Sequence, residues 1–263
     1  MGLRPFYLAL YSVPTNGVDE QILLELEALE YEMEKLKMSK RDKSNVLSIV
    51  NKSHVLIPAG GSHVKGDLAL PKVSTALVMF IHGNGSSRLS PRNQFVARTL
   101  FESGFATLLV DLLTPEEDQL ERKTGEIRFD SEMLGDRVVE IIDWLSVRPN
   151  TEGLKIGLFG ASTGAAAAIL AATRRDKWVN AVVSRGGRPD LALEALPTLS
   201  SPTLLIVGGQ DQQVAEFNQQ ALALITCTKA LATVAGATHL FEEPGAIEEV
   251  AELTKAWFTK YLK

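Results

Sequence analysis

From residue 76 to residue 262 the chain alternates two patterns of apolar and polar positions. Runs rich in apolar residues at 76–81, 106–110, 155–159, 178–184, 202–207 and 229–234 have the length of strands buried on both faces. Between them, amphipathic stretches at 91–103, 131–147, 214–225 and 246–262, and a run of small residues after Gly164, read as helices. Repeated βα units of this kind predict an α/β fold. Its central sheet is mostly parallel, helices cover both faces, and the site lies beyond the C-terminal ends of the strands.

Upstream the periodicity changes. Segments 53–57 and 64–70 flank Pro58-Ala59-Gly60-Gly61, which predicts an antiparallel β-hairpin capping one edge of the sheet. Further back, Ile22, Leu26, Leu29, Met33 and Leu36 follow one another at spacings of four, three, four and three, a narrow apolar seam on a helix over 18–38. That seam is expected to pack on its own domain or on the N-terminal arm; it also suits pairing between two copies of the chain as a homodimer. Residues 39–45 are polar and charged and read as a linker. The predicted division is therefore an arm with an amphipathic helix over 1–45 and an α/β domain over 46–263.

Composition narrows the function classes. A chain of 263 residues with 45% hydrophobic content can bury one sizeable core. With 27 basic against 32 acidic residues and a net charge of -5, it has no broad basic field, and no nucleic-acid partner is expected. The single cysteine, Cys227, cannot close an intrachain disulfide or build a Cys-rich zinc site, and this fits a reducing, cytoplasmic setting. The apolar run at 6–11 has only Arg4 before it and no cleavage pattern after it, and no uninterrupted apolar stretch approaches the roughly 18–20 residues of a membrane span. No membrane association is expected. His54 and His63 lie on or beside the hairpin without further ligands at metal-site spacing, so no metal is expected.

The candidate chemistry centres on Gly160-Ala161-Ser162-Thr163-Gly164, a G-x-S-x-G between a strand and a helix. Such a strained turn exposes the serine hydroxyl, and its glycines permit close backbone approach. A serine needs a base, and the base needs an anionic partner that orients it and stabilises the imidazolium. Asp211, in Gly208-Gly209-Gln210-Asp211, and His239, in Gly236-Ala237-Thr238-His239, each follow a predicted strand directly. Their alternatives are a helix cap for Asp211 and an ordinary loop histidine for His239.

Acyl transfer also needs donors for the developing oxyanion. The expected pair is the amide of Thr163 and that of Asn84, in the loop His82-Gly83-Asn84-Gly85-Ser86-Ser87, with His82 bracing the loop. Arg88, Arg92, Arg185 and Arg188 should lie in loops beyond strand C-termini, where a guanidinium fork could take a substrate carboxylate. The alternative is that they pair with neighbouring acidic residues.

With these residues in place, the chain resembles the α/β-hydrolase superfamily, whose members carry the triad in the order serine, acid, histidine. Within it, the chain is similar to the dienelactone hydrolase-like group over residues 53–263. The likeness rests on Ile81-His82-Gly83-Asn84-Gly85-Ser86-Ser87, on the elbow around Ser162, on Gly208-Gly209-Gln210-Asp211 with Val214, and on 236–245. The resemblance implies an α/β-hydrolase fold with an N-terminal β-hairpin and a serine hydrolase that cleaves carboxylic esters or lactones through an acyl-enzyme, with no cofactor. True dienelactone hydrolases use cysteine where this chain has Ser162, which points to ester chemistry on a small-molecule acyl substrate. A thioesterase, a peptidase or a non-catalytic binding protein on the same scaffold are the competing readings. Fewer than twenty residues separate Ser184 from Pro202, too few for a large lid domain.

Overall fold

The computed structural model describes residues 49–263 except Glu126. The arm, helix and linker expected over 1–45 lie outside the described residues. Strands are β1 (Ile49–Ala59), β2 (Ser62–Pro71), β3 (Ala76–Ile81), β4 (Ala106–Val110), β5 (Lys155–Ala161), β6 (Val179–Arg185), β7 (Thr203–Gly208) and β8 (Lys229–Val234). Helices are α1 (Pro91–Glu102), α2 (Pro115–Thr124), α3 (Ser131–Ser146), α4 (Gly164–Arg174), α5 (Gln212–Leu224) and α6 (Ala246–Leu262), with a 3-10 segment at Pro189–Thr198 after β6.

The eight strands form one sheet in the order β1-β2-β4-β3-β5-β6-β7-β8. Pairs β1–β2 and β2–β4 are antiparallel, and every pair from β4 to β8 is parallel. The hairpin thus caps the sheet edge, and the strand order reverses around β3 and β5. This is where a doubly wound sheet opens a crevice at its C-terminal edge. Strands β3, β4 and β7 are buried along their whole length, as their continuous apolar runs require.

One face of the sheet is covered by α3, α4, α5 and the 3-10 segment, with Val138, Ile141, Ile142, Ile169 and Leu196 in the core. The other is covered by α1 and α6 through Val96, Leu100, Val250 and Phe258. Ala165, Ala166, Ala167 and Ala168 are fully buried, so α4 lies close against the sheet and against α3.

Helix α2 has no counterpart among the elements expected from the sequence. Leu120 is its lone large apolar residue and is exposed, so it carries no apolar stripe. A capping box holds it instead: the Glu117 amide donates to Thr114 Oγ1, and the Thr114 amide to Glu117 Oε2. Pro115 sits in its first turn and Gly125 ends it in a left-handed conformation. Among the described residues no helix is long and apolar enough to cross a membrane.

Candidate active site

Ser162 occupies the turn between β5 and α4 with φ +52°, a left-handed conformation that a serine adopts only under strain. Three backbone bonds fix it: the Ser162 amide donates to Arg185 O at 3.1 Å, and its carbonyl accepts from Ala165 at 3.1 Å and Arg188 at 3.0 Å. A Cβ at Gly164 would stand 2.5 Å from the carbonyl oxygens of Ile81 and His82, and one at Gly160 would stand 2.5 Å from Ala165 Cα. The two glycines therefore let the elbow close onto the end of β3.

Ser162 Oγ lies 3.3 Å from His239 Nε2, and His239 Nδ1 lies 2.7 Å from Asp211 Oδ2. Asp211 stands at the N-cap position of α5, yet its side chain makes no capping bond. Its carboxylate faces the imidazole instead, and the helix-cap alternative falls away. The loops that carry the two residues are tied together, because the Gln210 amide donates to Ala237 O at 2.9 Å. With Asp211 accepting from Nδ1–H, Nε2 is left to accept the serine proton.

On the other side of Ser162, the Asn84 amide donates to Thr163 Oγ1 at 3.0 Å. Among the described residues no acceptor takes the Thr163 amide. His82 braces this loop. The Leu112 amide donates to its Nε2 at 3.1 Å, so Nδ1 carries the proton and donates to Gly83 O at 2.9 Å. Desolvation of the ring pushes its pKa below 6.5, and the side chain holds the loops after β3 and β4 together as a neutral imidazole.

A cleft of about 1050 Å³ runs from Asn84 and Thr163 past Arg88 and Arg92 to Leu113 and Gln119 on the α2 side. Its far wall, α2, is the part of this cleft missed from the sequence. The signal available there was Thr114-Pro115-Glu116-Glu117, a helix start without an apolar face behind it.

Two of the arginines have the acidic neighbours that the alternative reading gave them. Arg88 Nη1 lies 2.6 Å from Asp111 Oδ2, its amide donates to Asp111 Oδ1, and its Nε is 3.4 Å from Asp67. Arg188 is bound to both oxygens of Asp190, at 2.7 and 2.8 Å, and lies over the Phe217 ring. Both make internal ion pairs because acidic residues of neighbouring segments come within reach. Arg92 pairs with Glu242 at 2.6 Å, and Arg185 is buried without a carboxylate partner among the described residues. His54 pairs across the hairpin with Asp67 at 2.6 Å.

The model of the Dienelactone hydrolase family matches residues 64–262. The chain belongs to the dienelactone hydrolase family. A crystal structure of a dienelactone hydrolase from Anabaena variabilis is 50% identical and superposes with a TM-score of 0.80, covering 81% of this chain and 99% of that one. Est1E from Butyrivibrio proteoclasticus, at 18% identity and a TM-score of 0.67 over 79% of this chain and 98% of its own, shares the fold. Two curated relatives from Mycobacterium tuberculosis are 52% identical over 208 residues, 79% of this chain and 46% of theirs, and carry the provisional name phosphoribosyl transferase. The chain spans about half the length of these curated relatives. Membership in the dienelactone hydrolase family supports a hydrolase activity.

Proposed function

We propose that the chain is a serine hydrolase that cleaves carboxylic esters or lactones through an acyl-enzyme. The observation that carries this reading is the line from Ser162 Oγ to His239 Nε2 at 3.3 Å and on from His239 Nδ1 to Asp211 at 2.7 Å. The first separation is loose, as serine–histidine bonds often are before substrate binds.

In this reading Ser162 Oγ attacks the acyl carbonyl while its proton passes to His239 Nε2. Asp211 holds the imidazole in the productive tautomer and stabilises the imidazolium. The amides of Thr163 and Asn84 receive the oxyanion; the Thr163 hydroxyl, which accepts from Asn84 in the free site, rotates aside. Collapse of the tetrahedral intermediate breaks the bond to the leaving oxygen, which takes the proton from His239. Water, deprotonated by His239, then attacks the acyl-enzyme, and Ser162 regains its proton as the acid leaves. Every step uses groups of this chain and water.

Labelling by a fluorophosphonate tests the reading. Wild type should be labelled at Ser162 and the Ser162→Ala variant not at all; retained labelling at the same site in that variant would sink the assignment. Turnover of oxoesters graded by chain length and charge, beside thioesters and peptides, tests the ester assignment. Faster turnover of thioesters or peptides would transfer the same machinery to those substrates, and absence of both turnover and labelling would leave a non-catalytic binding protein.

A further inference from the structure

The segment 185–188, at the end of β6, is where the residues of the serine–histidine–aspartate line meet. It brackets Ser162 on both sides, since the Ser162 amide donates to Arg185 O at 3.1 Å and the Arg188 amide donates to Ser162 O at 3.0 Å. Gly186 lies beside the imidazole: a Cβ there would stand 3.6 Å from His239 Cε1 and 3.3 Å from the His239 carbonyl oxygen. Gly187 has no room for a side chain, because a Cβ would overlap Ser184 Oγ and come within 2.6 Å of Ala165 Cβ on α4. Asp211 reaches the same segment through the helix that it precedes. Asn218, about two turns along α5, is fully buried, and its Nδ2 donates to Gly187 O at 2.9 Å and to Val214 O at 2.8 Å.

These two bonds fix the direction of the Asn218 side chain. Val214 is one turn back on the same helix, so one bond ties the carboxamide to α5 and the other carries α5 to the bracket around Ser162. Asn218 Oδ1 is buried and has no donor among the described residues. A buried amide oxygen without a partner is a cost that an apolar side chain of similar size would not bear, and such a cost calls for a reason. The reason lies at the donor end, which satisfies Gly187 O between helix and turn as no apolar residue could. We propose that Asn218 is a positioning residue for the triad: it locks the helix that follows Asp211 to 185–188, and so holds Ser162 Oγ and His239 Nε2 at the separation across which the proton passes. It touches no reacting atom and acts through Gly187 and Arg188. The proposal rests on the serine-hydrolase reading for its effect on turnover, and on the hydrogen bonds alone for the lock.

Two variants and one control test it. Asn218→Ser keeps a hydroxyl that can bond Val214 O but falls short of Gly187, and Asn218→Leu fills the space without a donor. Each should lower kcat on 4-nitrophenyl butyrate by about 10–10²-fold with KM within about twofold of wild type, since a misplaced nucleophile slows the chemical step without weakening binding. Val138→Ala, which removes buried methyl groups from α3 and no hydrogen bond, controls for lost stability and should keep kcat within about twofold of wild type. Full kcat in Asn218→Ser, or an equal loss of kcat in Val138→Ala, overturns the proposal and leaves the hydrolase reading intact. Amide hydrogen exchange reads the lock without turnover. In Asn218→Ser the amides of Ser162 and Arg188 should exchange about tenfold faster or more than in wild type, while those of β3 stay unchanged. If wild type neither turns over esters nor is labelled at Ser162, the hydrolase reading fails and exchange alone decides: faster exchange at 162 and 188 supports the lock, and unchanged exchange overturns it.

Discussion

The Asp211 carboxylate turns away from the helix whose first residue it precedes and accepts from His239 Nδ1 at 2.7 Å. If its role is to fix the imidazole tautomer, Asp211→Asn should keep the fold and lose turnover. The expected loss in kcat on the best ester is about 10³–10⁴-fold, with little change in thermal midpoint, because no helix-capping bond is removed. A drop in stability with turnover retained would return Asp211 to a structural role.

The oxyanion assignment at residue 84 concerns its backbone, since the Asn84 side chain is exposed and its amide donates to Thr163 Oγ1. Asn84→Ala should therefore leave kcat/KM within about twofold of wild type. Asn84→Pro deletes the amide hydrogen and should cost about 10²–10³ in kcat. Steady-state kinetics on one neutral ester, with circular dichroism to check the proline variant, distinguishes the backbone from the side chain.

His82 gives the fold a pH dependence. Its folded pKa lies below 6.5 because the ring is desolvated, so on acidification the unfolded chain binds the proton first. Its effect is absent above the unfolded value; as pH falls through the window between the unfolded and folded values, stability declines. His82→Phe should flatten that part of the curve. It should also lower stability by about 1–3 kcal/mol at neutral pH, since the Leu112 amide and the Gly83 carbonyl both lose a partner. Urea unfolding of both proteins between about pH 5 and pH 7.5 measures each effect.

The Glu117–Arg137 pair joins α2 to α3. Arg137 is buried, Nη1 and Nη2 reach the two Glu117 oxygens at 2.7 and 2.8 Å, and Nη1 also donates to Leu112 O at 2.8 Å. The hydrogen bonds from Arg137 hold the Glu117 carboxyl below its ordinary 4.5. Its contribution is therefore complete above that value and is lost as pH falls through the lowered folded value. Glu117→Gln leaves a buried guanidinium without its counter-charge and should cost about 2–3 kcal/mol at neutral pH, less in acid. Denaturant melts at neutral and acidic pH should show the two proteins converging.

What could be read from the sequence follows from how each part is held. Strands β3 to β8 are placed by burial, and apolar runs such as Ala76–Ile81 record burial directly. The grouping of Ser162, Asp211 and His239 was legible because each lies in the turn or loop that follows a strand, and the parallel topology gathers strand C-termini at one edge. Helix α2 was not legible because a capping box and polar contacts such as the Glu117–Arg137 ion pair hold it, and these leave no apolar period. The arginines were legible as a group and not individually. Whether Arg88 meets Asp111, or Arg188 meets Asp190, depends on loop paths that local sequence does not encode.

Helix α2 buries only Glu121 and borders the cleft through residues such as Asp118 and Gln119. On the proposed hydrolase reading, this wall of the cleft and the bond-breaking machinery lie on separate stretches of chain. The outward positions of 115–124 can be rewritten, provided that Glu117 and Glu121 stay, without disturbing the sheet that aims Ser162. On that reading, a library confined to α2 should alter which esters are accepted while leaving labelling of Ser162 unchanged.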